Sequence, residues 1–265
     1  MTYTETDIVP AIERLAGTDL SALTQAQLDG IDQYHAGGAD AVDRLIPGLR
    51  LAAGMVALDV GSGLGGPARQ VARRTGCHVL GVDTTAAYVA AARDLTAAAR
   101  LSDRVRFLHT DVADLDQTGF DAAYTLHVQM NVEAKRPFYT DIARHLRPGA
   151  RLAIFEVCRG GDTDPPPPLP WSLDGTDSFL ATAGDLRDAI QAAGFELLDW
   201  VDETAWVRQW FADLGRRLAD NPTADPPPAT LPALLNDGPA RMFNFAAAIT
   251  TGAVTIHRAS FVLAP

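Results

Sequence analysis

The sequence is poor in positive charge, in lysine and in cysteine. Its 265 residues hold 22 Lys and Arg against 33 Asp and Glu, so the formal net charge at pH 7 is -11. Nucleic acids and anionic membrane surfaces are bound chiefly by clustered Lys and Arg, and we expect neither as a partner. Cys77 and Cys158 belong to no CxxC or Cys/His motif, which predicts two buried thiols in a reducing compartment and no metal site.

Long apolar runs are also missing. No stretch of about 18 apolar residues occurs, and the opening MTYTETDIVPAIERL lacks the basic start and apolar centre of a secretory leader. We therefore expect a cytoplasmic protein. Hydrophobic residues make up 47% of the chain and charged residues 21%, a balance typical of globular proteins. This length predicts a single domain, residues 1–265, around one core.

Short apolar segments alternate with helical stretches from Met55 onwards. The segments MVALDV, HVLGVD, VRFLHTD, FDAAYTLHV and RLAIFEV end in or near Gly or acidic residues and indicate buried parallel strands. Residues 67–75, 86–100 and 135–146, which lie between them, have helical character. This alternation predicts an α/β fold with a Rossmann-like, doubly wound sheet.

Further segments flank the predicted core at 51–158. Apolar residues at helical spacing predict an N-terminal helical cap at 1–50. The proline-rich GGDTDPPPPLP begins a first lid segment at 159–182, and a helix and strand follow it. A second lid segment, 203–252, contains an aromatic helix, the proline-rich NPTADPPPATLP and a last helix. The sequence AVTIHRASFVLA then predicts a final strand.

A glycine-rich turn is the first motif that carries chemistry. LDVGSGLGG places Gly61, Gly63 and Gly66 as GxGxxG between a strand and a helix, and Asp83 ends the next strand 20 residues beyond Gly63. That pattern alone fits a nicotinamide dinucleotide as well. Asp59, two residues before Gly61, would repel a pyrophosphate but suits a ligand with an ammonium and a sulfonium. The charge favours S-adenosylmethionine, and an NAD-dependent oxidoreductase remains the remote alternative.

Acidic residues end three of the predicted strands at one edge of the sheet, where ligands of open α/β folds bind. Asp83 can accept hydrogen bonds from both ribose hydroxyls. Asp111 offers an acceptor for an adenine amino group, with the apolar Val112 beside it for the ring face. The alternatives are that Asp59 caps a helix and that Asp111 is a surface turn residue.

The motifs LDVGSGLGGPAR, GVDTT, HTDVADL, FDAAYTLHVQMNV and LRPGARLAIFEV, in this order, resemble those of class I S-adenosylmethionine-dependent methyltransferases. The similarity is closest to the branch of sarcosine/dimethylglycine, phosphoethanolamine and tocopherol methyltransferases and related natural-product enzymes, and covers about residues 28–202. It implies a seven-stranded, mostly parallel sheet with an antiparallel last strand and a helical lid. It also implies S-adenosylmethionine as methyl donor, S-adenosylhomocysteine as product and no metal.

Matching positions imply the cofactor contacts. The glycines would pass beneath the methionine part, and the following acidic motifs would hold the ribose and adenine. The upstream IDQYHAGG resembles a segment that closes over the cofactor, although its Tyr34 and His35 could be ordinary helix-end residues. The implied cofactor-binding residues are Tyr34, His35, Asp59, Gly61, Gly63, Gly65, Asp83, Thr84, Asp111, Val112 and Leu126.

Methyl transfer is an in-line displacement at a sulfonium carbon, so a protein must align the acceptor, exclude water and take up a proton where one is released. His127 follows the fourth predicted strand, and an unperturbed imidazole pKa of roughly 6.5 suits a base at neutral pH. Several members of the family carry a histidine there that contributes to catalysis. Glu156 could orient His127 or pair with an amine. The alternatives are a packed histidine and a hydrogen-bonded buried carboxylate.

The predicted substrate wall is rich in aromatic residues. Such a wall suits an apolar or aromatic small molecule or a cationic amine, and the lack of a basic cluster disfavours a diphosphate. We expect N-methylation of an amine-containing metabolite, with C- or O-methylation of an aromatic or indole-like product as the alternative. The aromatic residues could instead only pack the lid. The predicted substrate-binding residues are Gln33, Gln129, Asn131, Trp171, Phe179, Trp206, Trp210, Met242 and Phe243.

Overall fold

A computed structural model of the chain describes residues 5–220 and 234–264, and the proline-rich NPTADPPPATLP lies outside these ranges. Three helices precede the sheet, as the apolar spacing predicts. They are α1 (Ile8–Ala16), α2 (Gln25–Ile31) and α3 (Gly38–Leu49).

Seven strands form one sheet in the order β3-β2-β1-β4-β5-β7-β6. The last strand, β7, runs antiparallel to both of its neighbours, which confirms the predicted topology. Strand order reverses between β1 and β4, and ligands of open α/β sheets bind beside such a reversal. The strands are β1 (Val56–Val60), β2 (His78–Asp83), β3 (Val105–His109), β4 (Phe120–Leu126), β5 (Leu146–Arg159), β6 (Phe195–Asp202) and β7 (Val254–Leu263).

Helices cover both faces of the sheet. Because parallel strands are joined by helical crossovers, apolar side chains of each strand are buried on both faces, in two separate clusters. None of the helices within the described ranges is both long and apolar enough to cross a membrane. The helices after α3 are α4 (Gly66–Thr75), α5 (Ala86–Ala98), α6 (Lys135–His145), α7 (Ala183–Ala192), α8 (Thr204–Asp220) and α9 (Gly238–Thr251).

The N-terminal helices lie against α5 and beside the glycine-rich turn. Ile12 and Ile31 pack into an apolar cluster with Leu95 of α5. Just after α2, Asp32 forms an ion pair with Arg69 of α4 at 2.6 Å, and both side chains are only 1% exposed. The cap is therefore joined to the helix that follows the turn.

Candidate active site

The glycine-rich turn between β1 and α4 borders open space. The backbone N–H groups of Gly61 and Ser62 donate to the carbonyl of Val82 at 2.9 and 3.0 Å, which draws the turn over the end of β2. Gly61 and Gly63 have φ angles of 75° and 52°, a region that favours glycine. A Cβ added at Gly63 would meet no atom within 4 Å. The backbone at Gly63 is thus open to a ligand.

A cavity of about 480 Å³ lies along the carboxyl ends of β1, β2 and β4. Many of the residues predicted to contact cofactor or substrate line it, so the structure brings them together. Those lining residues are Tyr34, Gly61, Gly63, Asp83, Thr84, Asp111, Val112, Leu126, His127, Asn131 and Trp171.

A second, small cavity of about 30 Å³ lies behind the turn, and Asp59, Ser62 and His35 line it. Asp59 is 2% exposed and lies beside the phenol of Tyr124, and its Oδ2 and the Ser62 hydroxyl make no hydrogen bond of normal geometry. Burial, together with the charge of Asp83, raises the pKa of Asp59 to about 8. A polar space of this size holds one small polar group, and a positively charged one would stabilise the ionised Asp59.

Asp83 and Asp111 end β2 and follow β3 at the same edge of the sheet. The Asp83 carboxylate accepts hydrogen bonds from the backbone N–H groups of Gly63 and Thr85, both at 2.8 Å. Burial raises the pKa of Asp83. Asp111 accepts from the backbone N–H of Ala113 at 2.9 Å. Each carboxylate has lone pairs left for further donors.

His127 occupies a constrained position directly after β4. Its φ angle is 53°, uncommon for a residue other than glycine, and its backbone N–H donates to the carbonyl of Phe155 at 2.9 Å. Its ring stacks on Phe155 with centroids 5.9 Å apart and lies 6.1 Å from the ring of His35. Burial, and then His35, lower the pKa of His127 well below its usual value, and its Nε2 has no partner. The imidazole is therefore neutral and presents an unused nitrogen.

Glu156 makes a different set of contacts from the one expected. Its Oε1 accepts from the Thr125 hydroxyl at 2.6 Å, and its Oε2 accepts from the backbone N–H groups of Val128 and Gln129 at 2.9 and 3.1 Å. The side chain is fully buried and lines neither cavity. The ring of His127 donates no hydrogen bond to Glu156. Glu156 instead holds the backbone that follows His127.

Some predicted residues lie away from both cavities. A Cβ at Gly65 would meet the ring of Phe107, because this glycine packs against β3. Gln33 donates to Gln70 at 3.2 Å, and the buried Gln129 donates to the carbonyl of Val157. Local sequence did not distinguish these residues from their cavity-lining neighbours.

Most of the predicted aromatic substrate-binding residues line neither cavity. The guanidinium of Arg44 lies over Trp206, with the Arg44 Cζ 4.2 Å from the centroid of the indole ring. Trp210 packs edge-on against Phe211. Phe243 is 75% exposed. Phe179 and Met242 likewise line neither cavity. Of these predicted substrate-binding residues of the lid segments, Trp171 lines the large cavity and the others named here line neither cavity.

Several lining residues were not predicted from the sequence. Tyr88 packs edge-on against Tyr34 with ring centroids 5.5 Å apart. Tyr88 follows the GVDTT motif by one turn of helix, so its position relative to Asp83 was the available signal. Met130 and Pro170 adjoin predicted residues in the sequence, whereas the following lining residues come from segments without such a signal: Phe138, Asp141 and Leu235. The described residues contain no group of three or more His, Cys, Asp or Glu that could hold a metal ion.

Residues 57–149 match the family model of a methyltransferase domain. The methyltransferase GfsG of Streptomyces halstedii is 33% identical over 186 residues, which are 67% of this chain and 66% of that protein. Sterol 24-C-methyltransferase ERG6 of Saccharomyces cerevisiae is 29% identical over 167 residues, 58% of this chain. The match spans 44% of ERG6, so this chain covers less than half the length of that curated relative.

Solved structures share the whole fold at low sequence identity. The [4+2]-cyclase SpnF superposes with a TM-score of 0.71 at 24% identity, covering 97% of this chain and 92% of that one. Geranyl diphosphate C-methyltransferase from Streptomyces coelicolor A3(2), in complex with Mg²⁺, geranyl-S-thiolodiphosphate and S-adenosylhomocysteine, has a TM-score of 0.70 at 16% identity, covering 97% and 98%. The motifs, the sheet order and the matched domain agree, and the chain belongs to the class I S-adenosylmethionine-dependent methyltransferases.

Proposed function

We propose that this protein transfers a methyl group from S-adenosylmethionine to the nitrogen of a small, phosphate-free amine. The choice of acceptor rests on the charged side chains that line the large cavity. Within the described ranges, the residues that line the large cavity include Asp83, Asp111 and Asp141 but no Lys or Arg. Asp141 pairs with Arg144 at 3.1 Å, and Asp83 and Asp111 would hold the cofactor, so no cationic side chain of the lining is left to pair with an anionic acceptor. A neutral or cationic acceptor suits such a cavity.

The cofactor site is supported by the open backbone at Gly63 and by the unpartnered Oδ2 of Asp59. Asp83 and Thr84 would hold the ribose, Asp111 and Val112 the adenine. Bound here, S-adenosylmethionine supplies an electrophilic methyl group next to a sulfonium. The carboxylates of the site would stabilise the positive charge of the donor.

His127 is proposed as the residue that receives the acceptor's proton. Its neutral ring and free Nε2 can accept a hydrogen bond from an N–H group and orient the nitrogen lone pair. Glu156 acts only through the backbone of Val128 and Gln129, and is therefore proposed as a positioning residue.

C-methylation of an electron-rich ring is the second candidate. Trp171, whose side chain is fully buried, lies in the cavity wall beside Pro170 and Leu235, and these residues make that part of the wall apolar. The indole N–H donates to the Ser178 hydroxyl at 2.9 Å, so the wall presents no free indole N–H to an acceptor. A neutral His127 would also serve a carbon acceptor, which loses its proton after methylation.

Two measurements test the proposal. Calorimetric titration with S-adenosylmethionine, S-adenosylhomocysteine and NAD is expected to show binding of the first two only. Incubation with S-adenosylmethionine and a panel of amines, indoles and phenols is then expected to yield S-adenosylhomocysteine and an N-methylated product. Binding of NAD alone, or no product with any acceptor, would contradict methyl transfer. Products methylated only on carbon would favour the second candidate.

We expect a phosphate ester to be a much poorer acceptor than the matching amino alcohol, for example phosphoethanolamine against ethanolamine. Bringing like charges together across an interface costs several kcal/mol, so kcat/KM should fall by roughly tenfold or more. Because salt screens charges, the difference should narrow as ionic strength rises. The measurement is S-adenosylhomocysteine formation for matched pairs, and equal kcat/KM within a pair would show that the cavity tolerates phosphate.

Cofactor binding should strengthen as pH rises from 6 to 7.5. The pKa of Asp59 is about 8, so this carboxyl keeps its proton below that pH and must release it to pair with the ammonium of the ligand. The Kd for S-adenosylhomocysteine is then expected to fall by up to about tenfold per pH unit, while an α-amino group with a pKa of roughly 7.7–8.0 stays largely protonated.

The control for this pH effect is Asp59→Asn, in which the pH dependence should largely disappear. Burial also raises the pKa of Glu156, to about 7, but Glu156 lines neither cavity and is retained in the variant. Calorimetry at fixed ionic strength measures both proteins. The same slope in both would assign the titration to another group.

A further inference from the structure

Only one of the two carboxylate oxygens of Asp32 has a hydrogen-bond partner. It lies between α2 and the segment that carries Tyr34 and His35, and it is 1% exposed. Its Oδ2 pairs with Arg69 at 2.6 Å, whereas its Oδ1 is buried without any hydrogen-bond partner. A buried acceptor without a donor is costly, and native proteins keep few of them. This oxygen therefore points to a donor supplied by a ligand.

The small cavity behind the glycine-rich turn brings three such acceptors together. Asp32, Asp59 and Ser62 all line it, and Asp32 Oδ1, Asp59 Oδ2 and Ser62 Oγ are all buried and unpartnered. Among the residues that the structure describes, no Lys or Arg lines this cavity. A primary ammonium carries one positive charge and three N–H donors, which matches three acceptors around a space for one small group.

Arg69 keeps Asp32 in place. Its guanidinium also donates to the carbonyl of Leu64 at 2.8 Å and to the Thr96 hydroxyl at 2.9 Å. Because Arg69 compensates the charge of Asp32, the uncompensated carboxylate in this cavity is Asp59. Asp32 thus offers an acceptor that is already ordered, and a ligand would gain its hydrogen bond at little cost in side-chain entropy.

We propose that Asp32 is a second carboxylate for the amino group of the cofactor, so that this ammonium bridges the N-terminal cap and the glycine-rich turn. The inference rests on the proposed function. Asp59 and Ser62 belong to the sheet edge and the turn, whereas Asp32 belongs to the cap. Binding of the amino-acid end of the cofactor would therefore hold the segment with Tyr34 and His35 closed over the site.

The test compares two ligands on one variant. S-adenosylhomocysteine has the amino-acid end, and 5′-methylthioadenosine lacks it but keeps the ribose and adenine. Asp32→Asn is expected to weaken binding of S-adenosylhomocysteine by roughly 10- to 100-fold, the range for a hydrogen bond to a charged group, and to leave 5′-methylthioadenosine within about twofold. The matched control is Asp29→Asn, since Asp29 pairs with Arg73 at 3.7 Å at the partly exposed surface of the same helix.

Asp32→Asn leaves Arg69 buried without its counter-charge, so the double variant Asp32→Asn/Arg69→Met removes both charges and should show the same selective loss. In the wild-type chain, S-adenosylhomocysteine should slow hydrogen exchange in residues 25–37 more than 5′-methylthioadenosine does. Equal losses for both ligands, no loss for S-adenosylhomocysteine, or equal protection by both ligands would overturn the role of Asp32. A wild-type chain that binds neither ligand would instead contradict the proposed function.

Discussion

Replacing His127 by alanine is expected to lower kcat by roughly 10²-fold or more, the range of general acid–base catalysis. The structure supports this expectation because His127 lines the large cavity and its ring has a nitrogen without a hydrogen-bond partner. The loss should fall on kcat rather than on cofactor affinity, since the predicted cofactor contacts come from other residues. The measurements are turnover with the best acceptor of the panel and the Kd for S-adenosylhomocysteine.

The pH profile provides a second readout for His127. Because burial keeps its pKa well below the usual value, kcat of the wild type should show no ionisation of this histidine between pH 6 and 8. His78→Ala, which changes an exposed histidine at the start of β2, is the matched control and should leave turnover within about twofold. If His127→Ala turns over as fast as His78→Ala, His127 is a packing residue.

Replacing Asp83 by alanine is expected to weaken binding of both S-adenosylhomocysteine and 5′-methylthioadenosine by roughly 100-fold or more. The change removes the proposed acceptor of two ribose hydroxyls, and each hydrogen bond to a charged group contributes about 1.5–3 kcal/mol. It also leaves the N–H of Gly63 without its partner, which loosens the turn. Calorimetry with both ligands measures the effect.

Asp83→Asn keeps one acceptor oxygen and should show an intermediate loss, which separates hydrogen bonding from charge. Asp94→Ala on the exposed side of α5 is the control for removing a carboxylate that lines neither cavity. Unchanged affinity in Asp83→Ala would place the ribose elsewhere. A loss limited to S-adenosylhomocysteine would do the same, because both ligands contain the ribose.

Local patterns were sufficient to predict the fold and the cofactor edge. Apolar runs that end in Gly or Asp predict parallel strands, and the carboxyl ends of such strands share one edge of the sheet. Asp59, Asp83 and Asp111 could therefore be assigned to that edge from spacing alone, and β1, β2 and β3 place them there. The family resemblance added the antiparallel last strand, whose partners are distant in sequence.

Contacts between distant segments decided the rest. Whether Trp171 or Phe243 faces the cavity depends on how the lid segments pack, and periodicity does not report which neighbour covers an aromatic face. For Glu156 the sequence left open a role beside His127 and a hydrogen-bonded buried carboxylate; its carboxylate accepts from two backbone N–H groups after β4 that lie within its reach. Asp32 likewise has one paired and one unpaired oxygen because α4 brings Arg69 to only one of them. The sequence determined the strands, the turn and the charged edge; tertiary packing decided which side chains remain free to bind, since that depends on partners that no local pattern specifies.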